Sequence, residues 1–349
     1  MNSSLLLGEN TIHPATNTLY LGSVGCGKSN FMKRNIEAQT EANLVILDVR
    51  DDIYNATKDT LLQNGYCVLH CNAMDNVYNP FTYMKTDESI LNFADIIAKK
   101  ANTKDLFWYA ATRRMLIEYL MHYKETGDLS DLSMKALHDV CADGSIEAYV
   151  DENVGPTAAH NVVLNLAAFL QPYKDLDSAG TYMIDLPVLF TESKQALFLE
   201  MDVCDTTPNL MYNIMLSQLF CNITGRTKPL EHELLFFLDE VQTISLPVLS
   251  RMEELNAVII TAAQSIKQMD TIHSIFFLIL YAGTMNDMDT ARYLKEIAKN
   301  SKKTLKTWLS GAYKDLLDEY RLVRLNADDI YIIEQGEPII KDKKLAYKD

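Results

Sequence analysis

Residues Gly22-Ser23-Val24-Gly25-Cys26-Gly27-Lys28-Ser29 place a glycine, four further residues and then Gly-Lys-Ser in one short loop. That spacing suits phosphate binding. Glycines let the chain curl until successive N–H groups point inward, and a following helix N-terminus adds partial positive charge. Lys28 has the charge to neutralise β- and γ-phosphates, and the Ser29 hydroxyl is a hard ligand for Mg²⁺. Gly22, Ser23, Val24, Gly25, Cys26, Gly27, Lys28 and Ser29 are therefore the expected nucleotide-binding residues, with ATP and Mg²⁺ as cofactors.

Two later segments carry chemistry that such a loop needs. Leu234 to Leu238 is an apolar run ending in Asp239-Glu240. Asp239 is the expected metal-side carboxylate and Glu240 the expected general base toward the attacking water. Val258-Ile259-Ile260-Thr261 runs into Ala262-Ala263-Gln264-Ser265, and an uncharged amide at a strand tip can sense a γ-phosphate without competing for protons. Lys28, Glu240 and Gln264 are the expected catalytic set, and Ser29 with Asp239 the metal set.

Cys67, His70 and Cys71 also lie close in sequence. Their strand-like run sends neighbours to opposite faces, and no second Cys/His pair complements them at zinc-site spacing. The expectation for them is structural.

These residues need a sheet to hold them. Leu19 to Leu21, Leu44 to Leu47 and Tyr66 to Leu69 are short, branched, buried-looking runs, separated by helical stretches from Asn30 to Ala42 and from Ile53 to Asn64. Strand, crossover helix and strand predict a parallel sheet. The alternation stops at residue 86. Amphipathic helical stretches then follow at Leu91 to Lys100, Leu106 to Lys124 and Ala158 to Leu170, and residues 86–180 carry 15 Asp/Glu against 8 Lys/Arg. Strand signals return at Ala196 to Met201, Leu234 to Leu238, Ala257 to Thr261 and Ile275 to Tyr281, before an edge hairpin of Tyr331 to Ile333 and Pro338 to Ile340. The expected division is residues 1–85 and 181–349 as the two parts of a nucleotide-binding α/β domain, interrupted by an all-α domain over 86–180.

Composition sets limits on the partners. The chain has 349 residues, 48% hydrophobic and 23% charged, and a net charge of −15. That charge argues against a surface that coats nucleic acid everywhere, though it permits a local basic channel. Six scattered cysteines suit a reducing compartment. The N-terminus has no basic stretch ahead of its short apolar run, and no apolar run approaches the roughly 20 residues of a membrane span. A cytoplasmic location is expected.

Taken in order along the chain, these segments resemble the TraG/TraD-like coupling ATPases of conjugation and type IV secretion, relatives of the FtsK and HerA translocases. Val45-Ile46-Leu47-Asp48-Val49-Arg50-Asp51-Asp52 is similar to the family's strand ending in Asp-Pro-Lys-Gly-Glu, and Tyr78-Asn79-Pro80-Phe81 to its Tyr-Asn-Pro-Leu. Phe107-Trp108 opens the helical insertion as in the family, and Leu166 to Pro172 resembles the segment that closes it. Asp239-Glu240, Gln264-Ser265 and Gly283-Thr284-Met285-Asn286-Asp287 match further motifs. The ending, from Asn326 through Gly336-Glu337-Pro338 to Lys343-Lys344-Leu345-Ala346-Tyr347, resembles the last strand pair.

The resemblance implies a RecA-like P-loop NTPase domain, interrupted by the all-α domain, that assembles as a homo-hexamer. It also implies ATP-driven movement of DNA, or of a relaxase on its DNA, into the type IV secretion machinery. A HerA-like DNA-processing or defence ATPase, and a nucleotide-binding docking module without motor activity, are the alternatives. Three departures stand out. The family's transmembrane helices have no counterpart in this sequence, so either that region has been trimmed away or a partner tethers the protein to the inner face of the membrane. Glu253 occupies the position where the family commonly has an arginine, with Arg251 nearby but out of register, and Arg50 replaces a motif lysine. Lys299, Lys302, Lys303 and Lys306 form a basic cluster that fits a DNA-facing loop or a solvated helix end.

Overall fold

A computed structural model describes residues 3–49, 51–71, 78–102, 105–174, 184–201, 207–239, 251–269, 276–283, 287–302, 325 and 328–346. Expectations for Glu240, Arg50, Thr284, Met285, Asn286, Lys303, Lys306, Asn326 and Tyr347 fall outside them.

The strands are β1 (Ser4–Gly8), β2 (Thr11–Pro14), β3 (Thr18–Leu21), β4 (Asn43–Val49), β5 (Cys67–Cys71), β6 (Gln195–Met201), β7 (Leu234–Leu238), β8 (Ala257–Ala263), β9 (Leu278–Tyr281), β10 (Asp329–Glu334) and β11 (Ile340–Lys343). Nine of them form one sheet in the order β11-β10-β9-β3-β8-β7-β4-β6-β5. From β9 to β5 every pairing is parallel, and the β9–β10 and β10–β11 pairings are antiparallel, so only β10 runs against the others. The inner strands are continuous apolar runs because both faces are covered. In β4, Leu44 and Ile46 pack with Phe31, Met32 and Ile36 on one face. Val45 and Leu47 face the opposite core.

Helices α1 (Lys28–Glu37) and α2 (Asp52–Gln63) follow β3 and β4 as crossovers. The expected helix from Asn30 to Ala42 is shorter, because β4 already begins at Asn43. The helical layer comprises α3 (Asp87–Ala101), α4 (Leu106–Thr126), α5 (Met134–Ala142) and α6 (Pro156–Leu170). Its starts are set by side chains: Thr86 and Ser89 make a reciprocal cap, and Ser133 accepts from the Ala136 N–H at 3.0 Å. After the short α7 (Val188–Thr191), α8 (Thr207–Thr224) is buried on every side from Asn209 to Phe220. It packs against α3 and β6 and carries one apolar core from the sheet into the helical layer.

The N-terminal hairpin β1–β2 was not expected, because three consecutive leucines obscure its alternation of buried Leu5 and Leu7. Asn35 of α1 holds it through both Leu6 backbone groups. The terminal edge hairpin is present, but β11 begins at Ile340, since residues 335–338 make the turn and Pro338 has no N–H to give a ladder. Helix α9 (Met288–Asn300) lies between β9 and β10 in sequence.

Candidate nucleotide site

The phosphate loop leaves the buried strand β3 and enters α1 with no side chain capping the helix. The first amide groups of α1 are thus available to an anion. Gly27 holds φ at 98°, a conformation L side chains rarely adopt, and this reversal aims the chain into the helix. Gly22 is required by proximity: a Cβ there would lie 2.2 Å from Cys26 Sγ. The loop is fixed to its neighbours by the Gly22 N–H donating to Ala263 O at 3.0 Å and the Ser23 N–H to Gly283 O at 2.9 Å. Tyr20, beneath the loop, donates its hydroxyl to Cys26 O at 3.1 Å.

Lys28 Nζ donates to Gly22 O at 2.9 Å and Ser23 O at 3.0 Å. Its ammonium is therefore folded over the loop it would serve. Ser29 follows it in the first turn of α1 and is half-buried. Burial pushes the Cys26 thiol up, and the nearby charges of Lys28 and Lys344 offset part of that rise.

The sheet order brings the other expected residues to this loop. Strand β8 lies directly beside β3, and β7 beside β8. Leu21 is level with Ala263 and Thr261 with Leu238, so Gly22, Gln264 and Asp239 emerge at one carboxyl edge. Two strand spacings separate the loop strand from Asp239, about 10 Å, room for a phosphate and its cation. Asp239 is half-buried, its N–H reaching Leu47 O at 3.4 Å. Ser29 and Asp239 offer hydroxyl and carboxylate oxygens, which suits Mg²⁺.

Gln264 is placed by a turn that sequence reading missed. Gln268 Oε1 accepts from the N–H groups of Gln264 at 2.7 Å and Ser265 at 3.3 Å. Thr290 Oγ1 accepts from the Ile266 N–H at 2.9 Å and donates to Asp287, tying this turn to the start of α9. A Gln four residues after Gln264 was the available signal.

Glu253 and Arg251 precede β8 and so lie at the opposite edge of the sheet from this chain's phosphate loop. Glu253 Oε1 accepts from Thr16 Oγ1 at 2.6 Å and from the Asn17 N–H, fastening the chain where it enters β3. Arg251 is exposed, near Glu254 at 3.8 Å.

Cys67 and Cys71 fall on one face of β5, four residues apart, and burial differs between them because Cys67 is exposed at the start of the strand while Cys71 is buried at its end. His70 instead meets Asp51 at 2.8 Å, and its ligand atom, that of Asp51 and that of Glu200 all lie within 4.8 Å of one another. The Asp51 hydrogen bond and a stacked Tyr54 ring at 4.1 Å account for the placement of His70 without an ion. Next to this group, Asp48 accepts from the Ile53 and Tyr54 N–H groups at the start of α2, and burial pushes its carboxyl up to about 6.

Residues 12–275 match the family described as the type IV secretion-system coupling protein DNA-binding domain. The chain belongs to this family. No curated protein gives a significant sequence match. Among solved structures, the plasmid coupling protein TrwB in complex with ADP and Mg²⁺ superposes with a TM-score of 0.70 at 16% identity, covering 95% of this chain and 86% of that one. TrwB with a non-hydrolysable ATP analogue gives 0.70 at 13% identity, covering 95% and 86%. VirB4 of Thermoanaerobacter pseudethanolicus gives 0.57 at 13% identity, covering 99% and 97%. At such identities the likeness establishes the RecA-like fold. Within this coupling-protein family member, no helix among the described residues is long and apolar enough to cross a membrane.

Proposed function

We propose that this coupling protein is an ATP-driven motor that moves DNA, with or without a bound relaxase, toward a type IV secretion channel. The observation that carries this reading is the meeting of the Gly22–Ser29 loop, Gln264 and Asp239 at the carboxyl edge of three adjacent parallel strands. A structural nucleotide would need only the loop. Hydrolysis needs the other two as well.

In this reading the Gly22–Ser29 amides and Lys28 hold the β- and γ-phosphates, and Ser29 and Asp239 hold Mg²⁺, which screens phosphate charge. Glu240 takes the proton from the attacking water and Gln264 orients that water. TrwB structures containing ADP with Mg²⁺ or an ATP analogue support ATP and Mg²⁺ as the ligands. Residues 1–85 and 181–349 form the motor, 86–180 the substrate-facing helical domain, whose acidity fits a basic protein cargo. A homo-hexamer that meets the membrane through a partner completes the assembly. The position of Glu253 and Arg251, away from this chain's own loop, fits a ring in which that edge faces a neighbour.

The test is ATP hydrolysis by wild type, Lys28→Ala and Glu240→Gln, with and without single- and double-stranded DNA. DNA-stimulated turnover is expected in the wild type, with a loss of about 100-fold or more in each variant. Wild type that stays inert at ring-forming concentrations rejects the motor, and nucleotide binding without turnover would indicate a docking module.

A further inference from the structure

The chain that follows β11 returns to the phosphate loop. Lys344 Nζ donates to Ala282 O at 3.0 Å, and its Cδ lies 4.0 Å from where a Cβ on Gly27 would sit. Leu345 packs against the core cluster that contains Tyr20, Cys26 and Phe31. This arrangement is anchored at several points. The Lys344 N–H donates to Asp328 O at 2.9 Å, and Lys343 O accepts from the Glu9 N–H at 3.0 Å. Asp342 accepts from the Asn10 N–H, Asn10 Nδ2 and Thr11 Oγ1 of the N-terminal hairpin at 2.7–3.0 Å.

Lys344 and Lys28 share a circumstance. Each ammonium is held by backbone carbonyls at the loop, Ala282 for one and Gly22 and Ser23 for the other. Among the described residues neither has a carboxylate within ion-pair distance. Lys344 is also partly desolvated, which lowers its pKa, and the nearby Asp328 and Asp329 carboxylates offset only part of that effect.

The flank matters. Asp239 and Gln264 lie on the β7–β8 side of β3, so a bound triphosphate points its γ end that way. Its α-phosphate and nucleoside must leave on the opposite side, where β9 ends at Tyr281 and Ala282 and Lys344 follow.

We propose that Lys344 is a second phosphate-binding cation of the site, swinging from Ala282 O to the α-phosphate of a bound nucleoside di- or triphosphate. The ligand class is thereby a nucleotide rather than an inorganic polyphosphate, and the C-terminal segment becomes a wall of its pocket. This rests on the nucleotide-binding reading above.

Isothermal titration of the full chain with ADP and with inorganic pyrophosphate tests it, using wild type, Lys28→Ala, Lys344→Met and Lys344→Arg. Lys344→Met is expected to weaken ADP about tenfold, the scale of one charge-assisted hydrogen bond, and to leave pyrophosphate unchanged. Lys344→Arg is expected to retain most ADP affinity. Unchanged ADP binding by Lys344→Met overturns the assignment. So does an equal loss for both ligands, which would make Lys344 a prop of the loop. If the wild type binds neither ligand, the nucleotide reading itself fails. If Lys28→Ala abolishes binding while Lys344→Met matches wild type, only the Lys344 assignment falls.

Discussion

Cys26 lies so close over Gly22 that a methyl group on the glycine would meet its sulfur at 2.2 Å, and its Cβ at 3.2 Å. Gly22→Ala must therefore turn the Cys26 side chain aside or displace the loop, at about 1–3 kcal/mol by the scale of overpacked sites. We expect that variant to lose ADP affinity. Adding Cys26→Ala removes the sulfur and should recover most of it. Titration of the single and double variants checks this, and no recovery would mean that the loop is set by contacts other than this pair.

Asp239 leaves β7 at the loop edge, two strands away from β3, and in the proposed site it shares the cation with Ser29. Asp239→Asn should weaken nucleotide binding in the presence of Mg²⁺ by about tenfold or more while changing little in EDTA. Titrations with and without the metal separate the two. A variant that keeps the wild-type Mg²⁺ dependence would remove Asp239 from the metal site.

Asp48 titrates at about 6 because burial outweighs its two backbone hydrogen bonds. In the unfolded chain it titrates near 3.9. The folded state thus holds the proton more tightly, so this group's contribution to stability is fully present below about pH 4. It falls as pH rises toward 6 and is level above. The whole change is about 3 kcal/mol for two pKa units. Denaturant unfolding of wild type and Asp48→Asn from pH 4 to 7 should show the wild type losing that amount relative to the variant. A constant difference would contradict the shift.

Asn79 is buried, donating to Leu132 O at 2.8 Å and accepting from the Phe81 N–H at 3.2 Å. Gln218 Nε2 of α8 donates to the next carbonyl, Pro80 O, at 2.9 Å. This explains Tyr78-Asn79-Pro80-Phe81 as a joint between sheet, α8 and helical layer. Asn79→Ala leaves two buried backbone groups unpaired and should cost about 2 kcal/mol, with ADP affinity intact. Urea midpoints and titration measure both, and lost affinity at unchanged stability would place Asn79 in the site instead.

Glu253 offers a further case. Its carboxylate closes the entry to β3 through Thr16 and Asn17. Glu253→Ala should lower stability by about 1–3 kcal/mol, visible as a lower melting temperature. No change would show that the contact carries no stability.

Sequence alone made the parallel α/β sheet and the helical layer legible, and it singled out the loop, carboxylate and amide residues as candidates, because local patterns carry each of these. Short branched runs bounded by turns favour buried strands, and Gly-Lys-Ser after such a run leaves few other uses for that loop. Tertiary structure decided what depends on strand order and on long-range approach. Inserting β8 between β3 and β7 is what brings Gln264 beside the loop and Asp239 across from it, and no local pattern specifies which strands become neighbours. Glu253 stands in a position read as an arginine's place, yet only the packed chain shows it bonded to residues more than 230 positions away. In the sequence, Lys344 reads as one lysine of the segment that resembles the last strand pair. It reaches the phosphate loop because β11 ends beside Asp328 and the N-terminal hairpin, contacts that exist only once both ends of the chain have folded onto the same sheet.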